Sequence, residues 1–433
     1  SDTMLSKLWK KELLCLVAIV VALMAVVDAQ IQNCPGTPNK LTPSDSNATF
    51  VRSVQNGKLY IDYSVQPPMR IVHAWGSSLE MGVAIGSLLK NDLQVFLPKV
   101  LDYFETTAAD SFPKDTPKWI LDIIEKYGVP FALDMTYKMT KAFTPRHFED
   151  EIAGIAAGAG VDINMLRRLN MIPELIKASC SMVGAWGPAI AQTENGSTLY
   201  QLRALDWDIH GPFNDYPAVM IYHPTDGVPF ATLGWTGFVG ALTGYSSSNV
   251  GICEKYWGGY NGTYFDEGYP FHYLLRDILQ FDPDTSAAMN RIIHADRTCA
   301  IFIGLGDSDT NQFRAVEYSH DIVNFFSDKS YPRYPGHPGA QGLVYIDKHF
   351  QPSRDPCLGS ALLANYGQLD TDHLILAASL HQTGDNHAAV YDFARNLMYV
   401  SSASSAQTPP VIPAYNRRFL KLDLNKLWAE SKP

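Results

Sequence analysis

The sequence predicts an α+β chain in which a helical segment precedes a set of antiparallel strands. Three observations carry that expectation. Residues 70–179 place apolar side chains at helical spacing, and residues beyond 180 fall into short β-branched and aromatic runs. Charged residues make up only 18% of the 433, and aromatic ones 12%, which fits a large buried core and not a disordered chain. Strands with segregated helices mark α+β layering.

In chain order, Ser1-Asp2-Thr3 precede a methionine and read as an expression scar. From Met4 the chain has the grammar of a secretory signal: Lys7, Lys10 and Lys11, then "LLCLVAIVVALMAVV", then Val27 and Ala29 at the −3 and −1 places of a small-residue cleavage site. Residues 1–29 are therefore assigned to scar and signal peptide, with Gln30 as the expected mature start. The alternative, an uncleaved anchor, fits less well because the run is short and ends in a cleavage pattern. Sequons at Asn47, Asn195 and Asn261 fit an exported glycoprotein, so the expected location is the secretory pathway, lysosomal or extracellular. A net charge of −10 argues against a nucleic-acid partner.

Helices are expected next. "SSLEMGVAIGSLLKNDLQVFL" puts Met81, Ile85, Leu88 and Leu89 on one face, with Gly82 and Gly86 four apart. A helical glycine costs about 1 kcal/mol relative to alanine, so two at this spacing predict a neighbour packed against the backbone. "EDEIAGIAAGAGVDINMLRRLN" repeats the device with Gly154 and Gly158. "DTPKWILDIIEKYG" carries Thr116 as cap, Pro117 at the first helical position and Gly128 as terminator.

After residue 180 the runs "TLYQLRALDW", "AVMIYH", "PFATLGW", "NVGICEKY", "CAIFIGLG", "FRAVEYS", "GLVYI", "AAVYDF" and "LMYVSSA" read as strands. Helices are expected near 269–280, 284–295 and 358–366, and loops at 331–342 and 401–413. There is no internal repeat.

Cys15 leaves with the signal, and Cys34, Cys180, Cys253, Cys299 and Cys357 remain. Five is odd, so at least one thiol has no internal disulfide partner, while four could form two bridges in any of three connectivities. Cys180, in "ASCSMVGAWG", stands where the helical grammar gives way to strands, the placement a processed nucleophile needs. A chain break between Ser179 and Cys180 would put a thiol and an α-amine on one residue. That amine, with an ordinary pKa of about 7.7–8.0, can serve as base for its own thiol. The break can be self-made: the thiol attacks the Ser179 carbonyl, an N-to-S shift gives a thioester, and water hydrolyses it. Small residues at Ala178, Ser179 and Ser181 leave room for the attack. Downstream, "LRALDWD" offers Arg203 to lower the thiol pKa or hold a substrate carbonyl, and Asp206 to orient the terminal ammonium. The alternative for that pair is a structural ion pair.

Three stretches together resemble one branch of the N-terminal-nucleophile hydrolases, the penicillin acyltransferase peptidase group with its relatives acid ceramidase and N-acylethanolamine acid amidase. "GSSLEMGVAIGSLL" resembles that group's pro-segment helix, "FEDEIAGIAAGAGVDINML" its Glu-x-x-Gly-Ile-Ala-x-Gly-Ala helix, and Cys180 followed by "LRALDWD" its nucleophile and Arg-Asn-x-Asp strand. The resemblance implies a four-layer αββα sandwich in which residues 30–179 form a helical pro-segment, or α subunit, and residues 180–433 the catalytic β subunit, both in one compact unit. It implies Cys180 as nucleophile, Arg203 and Asp206 as its positioning pair, and neither metal nor cofactor. Ala204 departs from the pattern by replacing the asparagine. Asp347 stands where the group's oxyanion-hole asparagine is expected, and a carboxylate repels an oxyanion unless protonated. Ser248, Asn249 and Asn386 are the replacement donors considered, and Arg354 resembles a second arginine of the ceramidase branch. That branch ties its subunits with a disulfide, which implies Cys34–Cys357 here and leaves Cys253 with Cys299.

The expected activity is hydrolysis of an N-acyl amide, with a fatty-acyl chain among the candidates. The partners are a small acyl-amide or lipid substrate, a peripheral lipid contact and the two subunits of one precursor. The aromatic residues Trp186, Trp207, Trp235 and Phe238 are candidates for an acyl-chain cleft. A phospholipase B-like esterase or an acyltransferase on the same fold is the alternative, as is a catalytically dead secreted glycoprotein. Two metal readings were weighed: a phosphoesterase built on Asp208-x-His210, Asp307 and Asn386-His387, and a zinc site at His373, His381 and His387.

Overall fold

Four strands open the described chain: β1 (Ser44–Asp45), β2 (Thr49–Val54), β3 (Gly57–Asp62) and β4 (Met69–Gly76). The computed structural model describes residues 34–111, 118–175, 178–191, 199–262, 267–334 and 336–433, so the signal, the Thr116–Pro117 cap and the Asn195 sequon lie outside it. The expectation of a helical segment over residues 30–179 is corrected by its described part, which opens with four strands. "MRIVHAWG" is β-branched and aromatic, and it forms β4.

Helices follow: α1 (Ser78–Leu88), α2 (Lys90–Ser111), α3 (Lys118–Tyr127), α4 (Val129–Thr140), α5 (Arg146–Ala159) and α6 (Ile163–Leu175). A reciprocal capping box starts α1: Ser77 Oγ accepts from Glu80 N, and Glu80 Oε2 accepts from Ser77 N at 2.8 Å. Gly128, at φ +83°, ends α3 where expected and lets α4 begin. The two glycine pairs are each other's neighbours. A Cβ on Gly82 would lie 2.2 Å from Glu151 O and one on Gly86 2.2 Å from Ile155 O; from the other side, Gly154 would meet Leu79 O at 2.5 Å and Gly158 would meet Val83 O at 2.4 Å. Helices α1 and α5 thus cross backbone on backbone.

Then come β5 (Ser179–Trp186), β6 (Leu199–Asp206), β7 (Pro217–Pro224), β8 (Phe230–Trp235), β9 (Thr243–Ser246) and β10 (Val250–Tyr256). Helices α7 (Phe271–Phe281) and α8 (Thr285–His294) precede β11 (Ala300–Asp307), β12 (Gln312–Ser319), β13 (Val323–Phe326) and β14 (Leu343–Ile346). The chain closes with α9 (Cys357–Ala364), α10 (Thr371–His381), β15 (His387–Asp392), β16 (Leu397–Ser402), β17 (Leu420–Asp423) and α11 (Leu424–Trp428). Each of the nine expected strand runs lies in one of these strands. Helix α10 was not expected. It is buried nearly all round, which leaves no amphipathic period to read.

The strands form two sheets, ordered β1-β17-β16-β15-β6-β5-β14 and β13-β12-β11-β10-β9-β8-β7-β4-β3-β2. Alternation along each strand sends side chains to opposite faces. Met69, Ile71, Met182, Val219, Phe313, Tyr391 and Val400 pack between the sheets. Val72, Met220, Ile252 and Ile303 pack outward against Ile85, Phe96, Ile155 and Ile278 of the helices. Val183, Leu202 and Val390 pack on the opposite outer face against Leu358, Leu362, Leu374 and Ile375. The order of layers is helices, ten-stranded sheet, seven-stranded sheet, helices.

Cys34 is joined to Cys357, with Cα atoms 5.4 Å apart. Cys253 and Cys299 are not joined; both are buried free thiols, as is Cys180. The antiparallel register puts Cys253 opposite Gly304, five residues beyond Cys299. At strand rise that is about 16 Å, more than twice what a disulfide spans.

Candidate active site

The site begins where β5 leaves the helical segment. Ser179 is exposed and Cys180, the next residue, is fully buried. Strand pairing sets Ser179 opposite Asp206, Cys180 opposite Leu205, and Met182 opposite Arg203. Arg203 is thus on the Cys180 face, one diagonal step away, while Asp206 faces the residue before the nucleophile. Cys180 Sγ lies 3.6 Å from Ala178 O and 3.8 Å from Glu254 Oε1. Arg203 Nη2 donates to Glu254 Oε1 at 2.6 Å, and its Nε and Nη1 are buried without partners. Burial pushes the Cys180 thiol well above its ordinary pKa; Arg203 pulls it down, and Glu254 and Asp206 push it up. Lys255, fully buried with Nζ donating to Tyr256 O at 2.9 Å, is lowered by the same desolvation.

Asp206 is held from the other side. Its carboxylate accepts from Thr383 Oγ1 at 2.5 Å and from Gly384 N at 2.9 Å, and Thr383 Oγ1 also bonds Ser181 Oγ at 2.7 Å. Burial, then a hydrogen bond to Asp206, then the charge of Asp206 raise Asp385 to about 9. Asp385 therefore carries its proton near neutral pH. Glu254, Lys255, Thr383 and Asp385 were missed in the sequence. A signal existed for two of them, since "NVGICEKY" sets Glu and Lys side by side in an otherwise apolar strand.

Next to residues that neighbour Cys180 lies a small cavity. Ala178, Leu205 and Glu254 form its wall toward the thiol; Ile172 and Pro173 of α6, with Trp207, Phe213, Trp235 and Phe271, make the rest largely apolar. Two of the four expected aromatic residues therefore line it. Phe238 packs behind Trp235 at 6.0 Å between ring centroids, and Trp186 sits at the far end of β5. Trp207 Nε1 is buried without a partner.

Other expected residues fall elsewhere. Asp347 is no oxyanion donor. Burial opposes its ionisation, but hydrogen bonds from His337, His349 and Ser353 hold it well below the usual carboxylate range. Asn249, at φ +58°, shapes the turn before β10 and accepts from Tyr245 at 3.3 Å. It precedes Glu254 by five residues, about 16 Å along the strand, and Ser248 shares its turn. Asn386 is adjacent through its backbone, donating to Leu205 O at 3.1 Å, but its amide is committed to Asn214 at 2.9 Å. Arg354 is exposed on the loop before α9. Asn47 and Asn261 are exposed.

Neither metal reading survives as posed. Asp208 bonds His210 on an exposed loop, Asp307 accepts from Thr285, and His387 Nε2 meets Thr243 Oγ1 at 2.9 Å between the sheets. His373 pairs with Asp370 in the first turn of α10, and His381 is the last residue of that helix, eight residues later.

No family model matches the chain. Protein dcd1A of Dictyostelium discoideum is 42% identical over 443 residues, covering 96% of this chain and 98% of its own. The chain belongs to the dcd1 protein family. Protein dcd1B of the same organism is 40% identical over 403 residues, covering 89% of this chain and 80% of its own. Among solved structures, this dcd1 relative is similar to a Caenorhabditis elegans N-acylethanolamine-hydrolyzing acid amidase ortholog at TM-score 0.40 and 13% identity, over 56% of this chain and all of that one. Penicillin V acylase from Agrobacterium tumefaciens follows at TM-score 0.36 and 12% identity, over 57% and 87%. A variant of conjugated bile acid hydrolase from Clostridium perfringens gives TM-score 0.38 and 10% identity, over 56% and 93%. Likeness of that size carries no chemistry to the dcd1 family, whose site stands on its own residues.

Proposed function

We propose that the chain is the precursor of a cysteine amidohydrolase of the N-terminal-nucleophile type, matured by its own cleavage between Ser179 and Cys180. One observation carries the reading. A buried thiol, one residue past an exposed serine, shares Glu254 with an arginine that keeps two buried, unpartnered donors, and Glu254 lines an apolar cavity.

In the unbroken chain the nitrogen of Cys180 is an amide and cannot take a proton, and burial keeps the thiol protonated. Maturation forms a bond from Sγ to the Ser179 carbonyl carbon and breaks the Ser179–Cys180 C–N bond, with the thiol proton passing to the departing nitrogen. Water then hydrolyses the thioester, leaving a carboxylate on Ser179 and a free thiol and amine on Cys180. Asp206, opposite Ser179 in the strand pair, orients the new amine. In turnover the neutral amine takes the thiol proton, Sγ attacks the substrate carbonyl, and the proton goes to the leaving amine. Water releases the acid. Arg203 Nε and Nη1 are the donors facing the developing oxyanion, the role for which asparagine was sought.

The apolar wall of the cavity suits an acyl chain. The layer order found here is the one the hydrolase reading implies. The expected secretory location, lysosomal or extracellular, belongs to the same proposal, with glycans on the exposed Asn47 and Asn261.

Intact mass spectrometry tests it. Purified wild type should contain a fragment beginning at Cys180, Cys180→Ala should remain one chain, and only the cleaved protein should hydrolyse fluorogenic fatty-acyl amides. An alanine variant cut at the same bond would end the proposal, as would an unbroken wild type without turnover, which would mark a dead scaffold.

A further inference from the structure

A second cluster of chemistry-bearing side chains lies across the sheet from Cys180, and the proposed reaction does not use it. Strand β14 pairs with β5 so that Ile346 lies opposite Met182, and Asp347 is the next residue. Around Asp347 gather His349, from the loop that follows, and His381, from the last turn of α10. One ligand-type atom from each lies within 4.8 Å of the others. His349 Nδ1 is 3.4 Å from Asp347 Oδ2, and the His349 and His381 rings stand 5.4 Å apart at 77°. Asp355 Oδ1 is 3.7 Å from His381 Nδ1.

We propose that Asp347, His349 and His381 form a divalent transition-metal site, of the kind zinc takes. The sequence expectation of no metal is set aside on three grounds. The first is His381 itself: it is 1% exposed, and neither ring nitrogen has a hydrogen-bond partner. A buried polar group left so costs about 1–3 kcal/mol, and coordination would remove that cost. The second is geometry. Neighbouring ligand atoms on a tetrahedral ion with bonds near 2.05 Å are about 3.3 Å apart, close to the Asp347–His349 spacing of 3.4 Å. The third is the outer shell. Asp347 Oδ2 accepts from His337 Nε2 at 3.0 Å and from Ser353 Oγ at 2.6 Å, and Gln351 Nε2 reaches Oδ1 at 2.9 Å. Ligating carboxylates are oriented by such donors.

Two imidazoles and a carboxylate suit zinc or cobalt and not calcium or magnesium, which take oxygen alone. Cys357 belongs to the same neighbourhood, but its sulfur is bonded to Cys34 and supplies no thiolate. The ion would fasten the 347–355 loop to the end of α10, next to that disulfide. This proposal does not depend on Cys180.

The test uses the full tag-free chain loaded with zinc chloride and dialysed, with metal content read by mass spectrometry, and a cobalt chloride titration read by visible absorption. Wild type should retain one zinc per chain and develop cobalt d–d bands. His349→Ala, at an exposed position where folding is not at stake, should weaken binding at least about tenfold. His381→Ala should do the same, and His373→Ala should not. A wild type that retains no zinc and gives no cobalt spectrum overturns the site, as do His349→Ala and His381→Ala variants with wild-type affinity.

Discussion

The Glu151–Arg276 pair allows a sharp prediction because both side chains are wholly buried and lie on either side of Cys180 in the sequence. Arg276 Nη2 donates to Glu151 Oε2 at 2.6 Å and Nη1 to Val239 O at 2.7 Å, with the guanidinium 4.3 Å from the Tyr222 ring centroid. Arg276→Met leaves Glu151 charged, buried and unpaired, a loss of roughly 3–5 kcal/mol. For about 400 ordered residues at roughly 2.1 cal/mol/K each, unfolding entropy is about 0.8 kcal/mol/K, so the melting temperature should fall by about 4–6 °C. Replacing both partners, Glu151→Met with Arg276→Met, removes the stranded charge and should recover most of that loss. Scanning calorimetry in a Cys180→Ala background, which removes the thiol that the proposed cleavage requires, measures all four proteins. A drop under about 1 °C for the single variant, or a double variant as unstable as the two losses summed, would refute the reasoning.

Two other outcomes follow from positions described above. Gly86→Ala should lower stability by about 1–3 kcal/mol although alanine favours helix, because its Cβ would meet Ile155 O at 2.2 Å; a gain in melting temperature would disprove the close crossing of α1 and α5. Asp385, at about 9 in the folded chain against about 3.9 unfolded, binds its proton more tightly when folded, so its stabilisation is full below pH ~4 and is lost as pH rises through about 9. Asp385→Asn should therefore hold its melting temperature better than wild type as pH rises across that window, and parallel curves would show that the group does not titrate there.

What could be read in advance was local. The two glycine pairs announced a backbone contact without saying that each was the other's partner. Nine strand runs were legible from period and punctuation, and Arg203 could be set near Cys180 because strands pair at short range. What could not be read was mostly long-range. Glu254 reaches Arg203 from the other sheet, Asp385 reaches Asp206 from beyond residue 370, and Cys253 and Cys299 look pairable until strand register separates them. Helix α10 and strand β4 were missed for a different reason. One is too evenly buried to show a face, and the other is the last of four short strands that run straight into a helical tract.

The parallel ladder between β4 and β7 bears on what self-cleavage would accomplish. Arg70 to Gly76 run alongside Ala218 to Pro224 in the middle of the ten-stranded sheet, with β3 and β2 beyond. A nick after Ser179 would cut the polymer without cutting the sheet, and the Cys34–Cys357 bond would bind the pieces a second time. The upstream portion would then be a permanent structural half and not a discarded leader. Activation would have to come from small shifts at the fresh terminus and at the α6 residues over the cavity, with the rest of the molecule staying in place.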